Sequence, residues 1–581
     1  MKTRRRLTLP SLLIWIGTLA GVLTVGLPPM PAGGAETPNT PSLIHINQLG
    51  YLAGHSKIAM VSSPLGLPFS VLNADTSVPV LEGMLELAEP ADAASGSDVW
   101  IADFSILHAT GKYILQVEGI GQSPPFPVDT RLNPSLLRQT VRSYYLQRCG
   151  CALPKKFADA WQHPECHAAD AAIFSSSAVV QAATGGWHDG GDYGKYTVSG
   201  VYAAGLLLLL HDHFPAALPD GSLAIPESGN SIPDLLDEVR WELEWLLRMQ
   251  GDEGGFYHKL TSLEPVKPVP PAKDTESRFL FPPSTAATGG ACALLAKASR
   301  VYAVYDADFA GRCLHGAMAA WDYLESHPPG AGFQNPPDVR TQAFSDADDS
   351  EERFWAAVEL SLATKHQIYL QAVKTLADQR VPLLSASGYW GNMMPLAVAA
   401  ILDDASNAFG PELRQEALTD LLSLAGALLE KIQADGYRLS LQEGEFTWGS
   451  NGALLNNAII LCLADRFQPS ADYRQGALDQ LQYILGRNPL SICYVTGFGS
   501  HPPLRLSHPA TMAGNNASPI PGLLAGGPNQ FLNDGELAKS FSPTTAPATV
   551  YLDSEDSFSS NQASIAWNAA LAYVAAFVSS L

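Results

Sequence analysis

The spacing of apolar residues changes once along this chain, and that change limits what it can fold into. From Ile44 to about Asp129, short runs rich in β-branched and aromatic residues alternate with Gly, Pro, Ser and Asp turns. Examples are Lys57-Ile-Ala-Met-Val-Ser62, Phe69-Ser-Val-Leu72, Val99-Trp-Ile-Ala-Asp-Phe104 and Lys112-Tyr-Ile-Leu-Gln-Val117. Such runs are strands, and their number and turn spacing predict a small sandwich of immunoglobulin size over 43–131. From Asn133 onward the apolar residues recur at helical spacing, which predicts roughly a dozen helices. Among them are 134–148, 196–213, 234–250, 287–305, 353–364, 411–434, 471–485 and 562–579. The second unit, 134–581, is therefore expected to be essentially all helix. A toroid of paired helices with its loops gathered at one end accommodates that number. A solenoid would also, but no repeat of fixed period supports one.

With 581 residues, 46% of them apolar and 16% charged, the chain can bury a large core, and whole-chain disorder is excluded. Its 57 Asp and Glu outnumber 35 Lys and Arg for a net charge of -22. No basic cluster follows the first six residues, so phosphate backbones are repelled and nucleic acid is excluded as a partner. A neutral ligand stays open. Met1-Lys2-Thr3-Arg4-Arg5-Arg6, an apolar run to about Leu27 and Pro31-Ala-Gly-Gly-Ala35 read as an export signal over 1–35, cleaved after Ala35. The competing reading is an uncleaved anchor, since the run approaches bilayer length. No later run could span a membrane, so the mature protein is expected to be a soluble monomer, secreted or periplasmic.

Long loops over 150–192, 257–285, 327–350 and 487–560 separate the helices, and loops of that length tend to carry function. The first contains Gly185-Gly-Trp-His-Asp189-Gly-Gly-Asp192-Tyr-Gly-Lys-Tyr196. Two carboxylates separated by two glycines can converge on one water, one taking its proton while the other holds it. A plain Gly/Asp turn ahead of a helix explains the same residues without any chemistry. Seven cysteines in so long an exported chain are not a disulfide framework, yet Cys149, Cys151 and Cys166 crowd together.

The motif resembles the catalytic-base segment of glycoside hydrolase family 9, in particular members with an N-terminal immunoglobulin-like domain. Similar stretches run along nearly the whole mature chain: Asn47-Gln-Leu-Gly-Tyr51, Ile232-Pro-Asp-Leu-Leu-Asp-Glu238, Trp448-Gly-Ser-Asn451, Tyr483-Ile-Leu-Gly-Arg-Asn-Pro489, Tyr494-Val-Thr-Gly-Phe-Gly499, Gly526-Gly-Pro-Asn529 and Trp567-Asn-Ala-Ala570. The resemblance implies an (α/α)6 barrel acting on β-1,4-linked glucan by an inverting mechanism, with Asp192 as general base and Asp189 orienting its water. It also implies a structural zinc held by Cys149, Cys166, His167 and His188, a donor set suited to a closed tetrahedral site. By spacing alone, a Cys149 to Cys166 disulfide is the simpler reading. Calcium is implied at the acidic loop 345–351 through Asp346 and Asp349, although most acid runs are solvated faces.

The chain departs from the family at one decisive place. The family's general acid is a Glu in an Asn-Glu pair shortly before a Trp-Asn-Ala segment, and this chain has Gln562 there, in Asn561-Gln562 ahead of Trp567-Asn568-Ala569. An amide can hydrogen-bond a glycosidic oxygen but has no carboxylic proton to give. The family's His-His-Arg substrate motif reads Ser507-His508-Pro509, which leaves His508 and Arg505 as candidates for sugar hydroxyls. Two classes of function follow: a hydrolase in which Glu555, or its neighbours Asp553 or Asp556, replaces the acid, or a pseudoenzyme that binds glucan without cutting it. Trp187, Trp355, Trp390 and Tyr494 are the aromatic candidates for stacking on sugar rings, each with core packing as its ordinary alternative.

Overall fold

A computed structural model describes residues 42–581, apart from 170, 175, 267, 331 and 513–517. The expected export signal over 1–35 lies outside the described residues. Ten strands form two facing sheets: β1 (Ile44–His45), β2 (Tyr51–Leu52), β3 (Ile58–Ser62), β4 (Pro68–Asn73), β5 (Pro79–Met84), β6 (Glu86–Asp92), β7 (Ser97–Asp103), β8 (Gly111–Val117), β9 (Gly121–Gln122) and β10 (Phe126–Asp129). One sheet runs β1-β3-β7-β6; the other runs β2-β10-β8-β4-β5, with β9 added on β8. Period-two alternation sends Tyr113, Leu115 and Val117 of β8 into the sandwich with Phe69 and Val71 of β4.

The run Ile58–Val61 in β3 is apolar because both of its faces are covered. Ala59 and Val61 join the sandwich core, while Ile58 and Met60 join the larger core of the helical unit. Hydrogen bonds lock that seam: the Gln48 amide nitrogens donate to Leu485 O (2.9 Å, main chain) and Ser491 O (2.7 Å, side chain), and Ala548 N donates to Ala94 O (2.8 Å). In the Asn47–Tyr51 segment, Gly50 has φ +100° and any Cβ there would lie 2.3 Å from Pro127 O. The sandwich is thus a structural partner of the helices rather than a tethered module.

Twelve described helices of ten or more residues follow: α1 (Ser135–Tyr145), α2 (Thr197–His213), α3 (Asp234–Arg248), α4 (Thr285–Tyr302), α5 (Ala307–Ser326), α6 (Ser350–Thr364), α7 (Gln367–Ala377), α8 (Met394–Asp403), α9 (Gly410–Ala434), α10 (Ser450–Phe467), α11 (Ala471–Ile484) and α12 (Ile565–Ser579). Each even-numbered helix packs on the next, and α12 packs back on α2, which closes an inner ring of six. The odd-numbered helices lie outside it. The two sets differ in pattern as burial requires. Helix α9 buries one stripe, Leu413, Ala417, Leu421, Ala425, Leu428 and Ile432, whereas α2 is buried almost all round. Side-chain caps mark several starts, with Ser284 accepting from Ala287 N and Asp306 from Phe309 N.

The second unit is essentially helical as expected, with one small sheet added. Loop segments pair into a small sheet, β11 (Ala171–Ile173), β12 (Ser176–Gln181), β13 (Lys195–Tyr196), β14 (Lys259–Thr261) and β15 (Phe279–Leu280), in the order β12-β11-β15-β14-β13. Four of its five strands have only two or three residues and carry no readable period. This sheet fixes the long loops against one another at one end of α2. No described helix is long and apolar enough to cross a membrane.

Candidate active site

The turn between Trp187 and Tyr196 is braced from behind before any catalytic group is considered. Glu242 of α3 accepts the Trp187 main-chain N–H (2.8 Å), and Glu238 accepts its indole N–H (2.8 Å) while pairing with Arg148 (2.9 Å). Burial pushes Glu242 up to about 8, so that carboxyl is mostly neutral near pH 7. Lys195 donates to Ala183 O (2.8 Å) and Gly185 O (2.7 Å), which closes the base of the loop.

On this platform the two aspartates have unlike surroundings. Asp189, 3% exposed, accepts from the Ser199 hydroxyl of α2 (2.5 Å), the Ser564 hydroxyl (2.9 Å) and Ile565 N (3.0 Å) at the start of α12. A carboxylate at a helix N-terminus is favoured by the unpaired N–H groups and the helix dipole. Three of its roughly four acceptor directions are therefore taken, and it ties the first inner helix to the last. Asp192, 7% exposed, accepts from Gly194 N (2.6 Å) and from the Tyr196 hydroxyl (3.0 Å). It keeps more capacity for a water. Burial raises both aspartates above the ordinary range; the hydrogen bonds of each oppose this, as does the Arg278 charge for Asp192. Among the described residues neither is in an ion pair, and Arg278 has two buried guanidinium nitrogens, Nε and Nη1, without a hydrogen-bond partner.

Gln562 lies directly over the turn. A Cβ on Gly190 would meet its Nε2 at 2.3 Å, and one on Gly191 would meet it at 3.2 Å, so the two glycines make room for the amide. Gly190 also has φ +74°, a conformation that favours glycine. Asp189, Asp192 and Gln562 are thus brought together. Glu555 is not: among the described residues no hydrogen bond or ion pair joins it to any of the three. Asp553 is committed to Leu504 N (2.8 Å) and Arg505 N (2.9 Å), which pins the loop carrying Arg505, and Asp556 is exposed.

An aromatic run leads outward from the base. Tyr196 contacts Phe344 (centroids 4.7 Å), Phe344 contacts Trp390 (5.0 Å), and Trp390 contacts Tyr389 (5.5 Å), which is 47% exposed. Two cavities, of about 310 Å³ at the sandwich seam and about 620 Å³ between α3 and α5, contain no residue of the turn.

Behind the turn, Cys149, Cys166, His167 and His188 form a cluster whose donor atoms all lie within 4.8 Å of one another. His167 Nδ1 is 3.6 Å from Cys149 Sγ and 3.0 Å from His188 Nε2. His167 Nε2 is 3.0 Å from Asp274 Oδ2, the arrangement that fixes a ligating imidazole. All seven cysteines are free, so the Cys149 to Cys166 disulfide is absent here. Although burial raises the Cys149 thiol, the Cys166 hydrogen bond and the Lys195 charge bring it well below its usual range, toward the thiolate a metal needs. The cluster and the turn share backbone: His188 N donates to Gln147 O (2.9 Å) and Cys149 N to Gly186 O (2.8 Å).

Residues 134–575 match glycosyl hydrolase family 9, and residues 39–122 match the cellulase N-terminal ig-like domain. The chain belongs to glycosyl hydrolase family 9. It is 30% identical to endoglucanase D of Acetivibrio thermocellus, over 96% of this chain and 87% of that protein. It is 32% identical to a xyloglucan-specific endo-beta-1,4-glucanase of Bacteroides ovatus, over 94% and 96%. The crystal structure of a metagenome-derived family 9 endoglucanase superposes with a TM-score of 0.86 at 34% identity, covering 93% of this chain and 99% of that one. This family 9 chain is accordingly an O-glycosyl hydrolase in fold and class.

Several expected site residues of this family 9 domain are corrected by burial. Trp355 is 0% exposed and lies against Gly205 inside the ring. Tyr494 is also 0% exposed, among Tyr483 and Tyr551, and Trp187 packs edge-on against Tyr144. None of these three offers a free face to a sugar. Trp390 is half-buried and keeps its candidacy, as does exposed Arg505. His508 is as buried as the aspartates; its Nδ1 lies 3.1 Å from the Thr511 hydroxyl, and burial with the nearby His188 lowers it to about 3.

In the acidic loop, Asp346 Oδ2, Asp349 Oδ2 and both oxygens of Glu352 are buried without partners, while Asp349 Oδ1 pairs with Arg353 (3.0 Å). Burial and the mutual repulsion of these acids hold Asp346 up at about 6 and Glu352 well above the carboxylate range. Unlike the cysteine and histidine donors, these oxygens do not form a cluster tight enough to hold an ion as they stand. Sequence reasoning missed Glu352, Asp274, Ser199 and Ser564. Only Ser564 was signalled, as a serine immediately before an apolar helix.

Proposed function

We propose that the chain hydrolyses β-1,4-linked glucan with inversion, outside the cytoplasm, after loss of residues 1–35. Asp192 takes the proton of an attacking water, and Asp189 holds that water while anchoring the turn to α2 and α12. The observation that carries the reading is the unlike bonding of the two aspartates: one is spent on the scaffold through three bonds to α2 and the start of α12, while the other accepts only from Gly194 N and the Tyr196 hydroxyl within its own turn. Trp390, Tyr389 and Arg505 would meet the sugar chain, and His508 would reach it from the floor of the site. The name of the Bacteroides ovatus relative, an endo-beta-1,4-glucanase, supports a β-1,4-glucan backbone as substrate, and that of the Acetivibrio thermocellus relative supports glucan more broadly.

Cys149, Cys166, His167 and His188 would hold zinc. The two donor separations of 3.0 and 3.6 Å are close to the approximately 3.3 to 3.8 Å that tetrahedral bonds of ordinary length impose. The ion's contribution would be structural, with His188 carrying that rigidity to Asp189 in the next residue. Asp346, Asp349 and Glu352 would draw together on calcium, whose charge would relieve their unpaired oxygens.

Gln562 weakens the leaving-group side of the reaction, and it favours one competing reading, a non-hydrolytic glucan-binding protein. Reducing-sugar release from a soluble β-1,4-glucan separates the two. Slow release that disappears in Asp192→Ala is the expected result. Equal signals from the wild type and the variant, with glucan still bound, would establish the binder.

A further inference from the structure

We propose that the site turns over glycosides whose leaving group departs as a stable anion, such as aryl or acyl glycosides, in preference to those whose leaving group is another sugar's hydroxyl oxygen. This rests on the hydrolase reading above and names the substrate class within it. The side chain that meets the Asp189 to Asp192 turn from above is an amide, so close that the Nε2 of Gln562 occupies the space a Cβ of Gly190 would need. Of the neighbouring carboxyls, Asp553 is bonded to two main-chain N–H groups, and Glu555 makes no described contact with the turn. The Tyr196, Ser199 and Ser564 hydroxyls are donating to the aspartates themselves. Among the described residues the site can therefore remove a proton from water but has no acid placed to deliver one.

Without an acid, the chemistry runs readily only for this class. Asp192 accepts a proton from water as the water oxygen bonds to the anomeric carbon. The bond from that carbon to the leaving oxygen breaks on the opposite face, and its electron pair leaves with the oxygen. An aryloxide or carboxylate bears that charge unaided, with the Gln562 N–H as hydrogen-bond donor, whereas a sugar alkoxide does not. The products are an inverted hemiacetal and a free anion, and Asp192 later returns its proton to solvent.

The test uses the full chain with 2,4-dinitrophenyl, 4-nitrophenyl and phenyl β-cellobiosides and with cellotetraose. The expected kcat/KM falls by about 100-fold or more from the first to the third, with cellotetraose lower still. In Gln562→Glu that dependence flattens. Equal kcat/KM along the aryl series, or cellotetraose cleaved as fast as the dinitrophenyl glycoside, overturns the inference. Asp192→Ala separates the two levels. Release that depends on Asp192 but not on the leaving group defeats only the substrate class. Release that is undiminished in Asp192→Ala, or no release from any substrate, defeats the hydrolase reading with it.

Discussion

Gln562→Glu is expected to raise turnover of cello-oligosaccharides by about 10² to 10⁴-fold, the usual contribution of a general acid. The side chains are nearly the same shape, and Gly190 and Gly191 already make room at that position, so the fold should tolerate the change. The pH profile changes form as well as height. Burial raises Asp192 above the ordinary aspartate range. Below that raised value the base is protonated and inactive, and activity climbs as pH rises through it. With an amide at position 562 nothing on the leaving-group side titrates, so the wild-type profile rises and stays level. The introduced carboxyl must be protonated to act, so it adds an alkaline limb and the profile becomes a bell. An unchanged rate and a level profile in Gln562→Glu would mean that another group already supplies the proton.

Cys166→Ser is expected to lose the metal and with it at least about 4 kcal/mol of stability, since loss of a structural metal is among the largest single effects known. Cys166 is chosen because it is not part of the catalytic turn, unlike His188. Zinc content by elemental analysis should fall from one ion per chain to near none, and thermal unfolding should shift to lower temperature. Activity on a dinitrophenyl cellobioside should fall in parallel, because Cys149 and His188 are tied by backbone hydrogen bonds to Gly186 and Gln147 at the root of the turn. A wild-type protein with no zinc and a Cys149 to Cys166 crosslink in non-reducing peptide mapping would instead support the disulfide reading.

The parts of this molecule that announced themselves in its sequence share a physical cause. Alternating and helical periods report burial on one face, so the sandwich and the outer helices were legible, and α9 with its single stripe most plainly. The Gly-Gly between Asp189 and Asp192 was legible too, because closeness of backbone and Gln562 leaves no room for a Cβ. Aromatic identity was a poor guide: Trp355 sits on an inner helix whose apolar and several of whose polar residues are buried alike, so the ring alone does not tell wall from core. Partners distant in the chain left no local trace. Asp274 meets His167 where two separate loops come together, and Ser564 meets Asp189 only after the ring has closed. Glu352 was hidden by its neighbours, one acid among several in a run that reads as a solvated face.

The central claim is that Asp192 activates a water that attacks the sugar from the face opposite the leaving group. Proton NMR of the first product released from 2,4-dinitrophenyl β-cellobioside tests it most directly. The account predicts the α-anomer of cellobiose first, followed by mutarotation, and no such signal from Asp192→Ala above the uncatalysed rate. Initial release of the β-anomer, or α-anomer formed equally well without the Asp192 carboxylate, would contradict it.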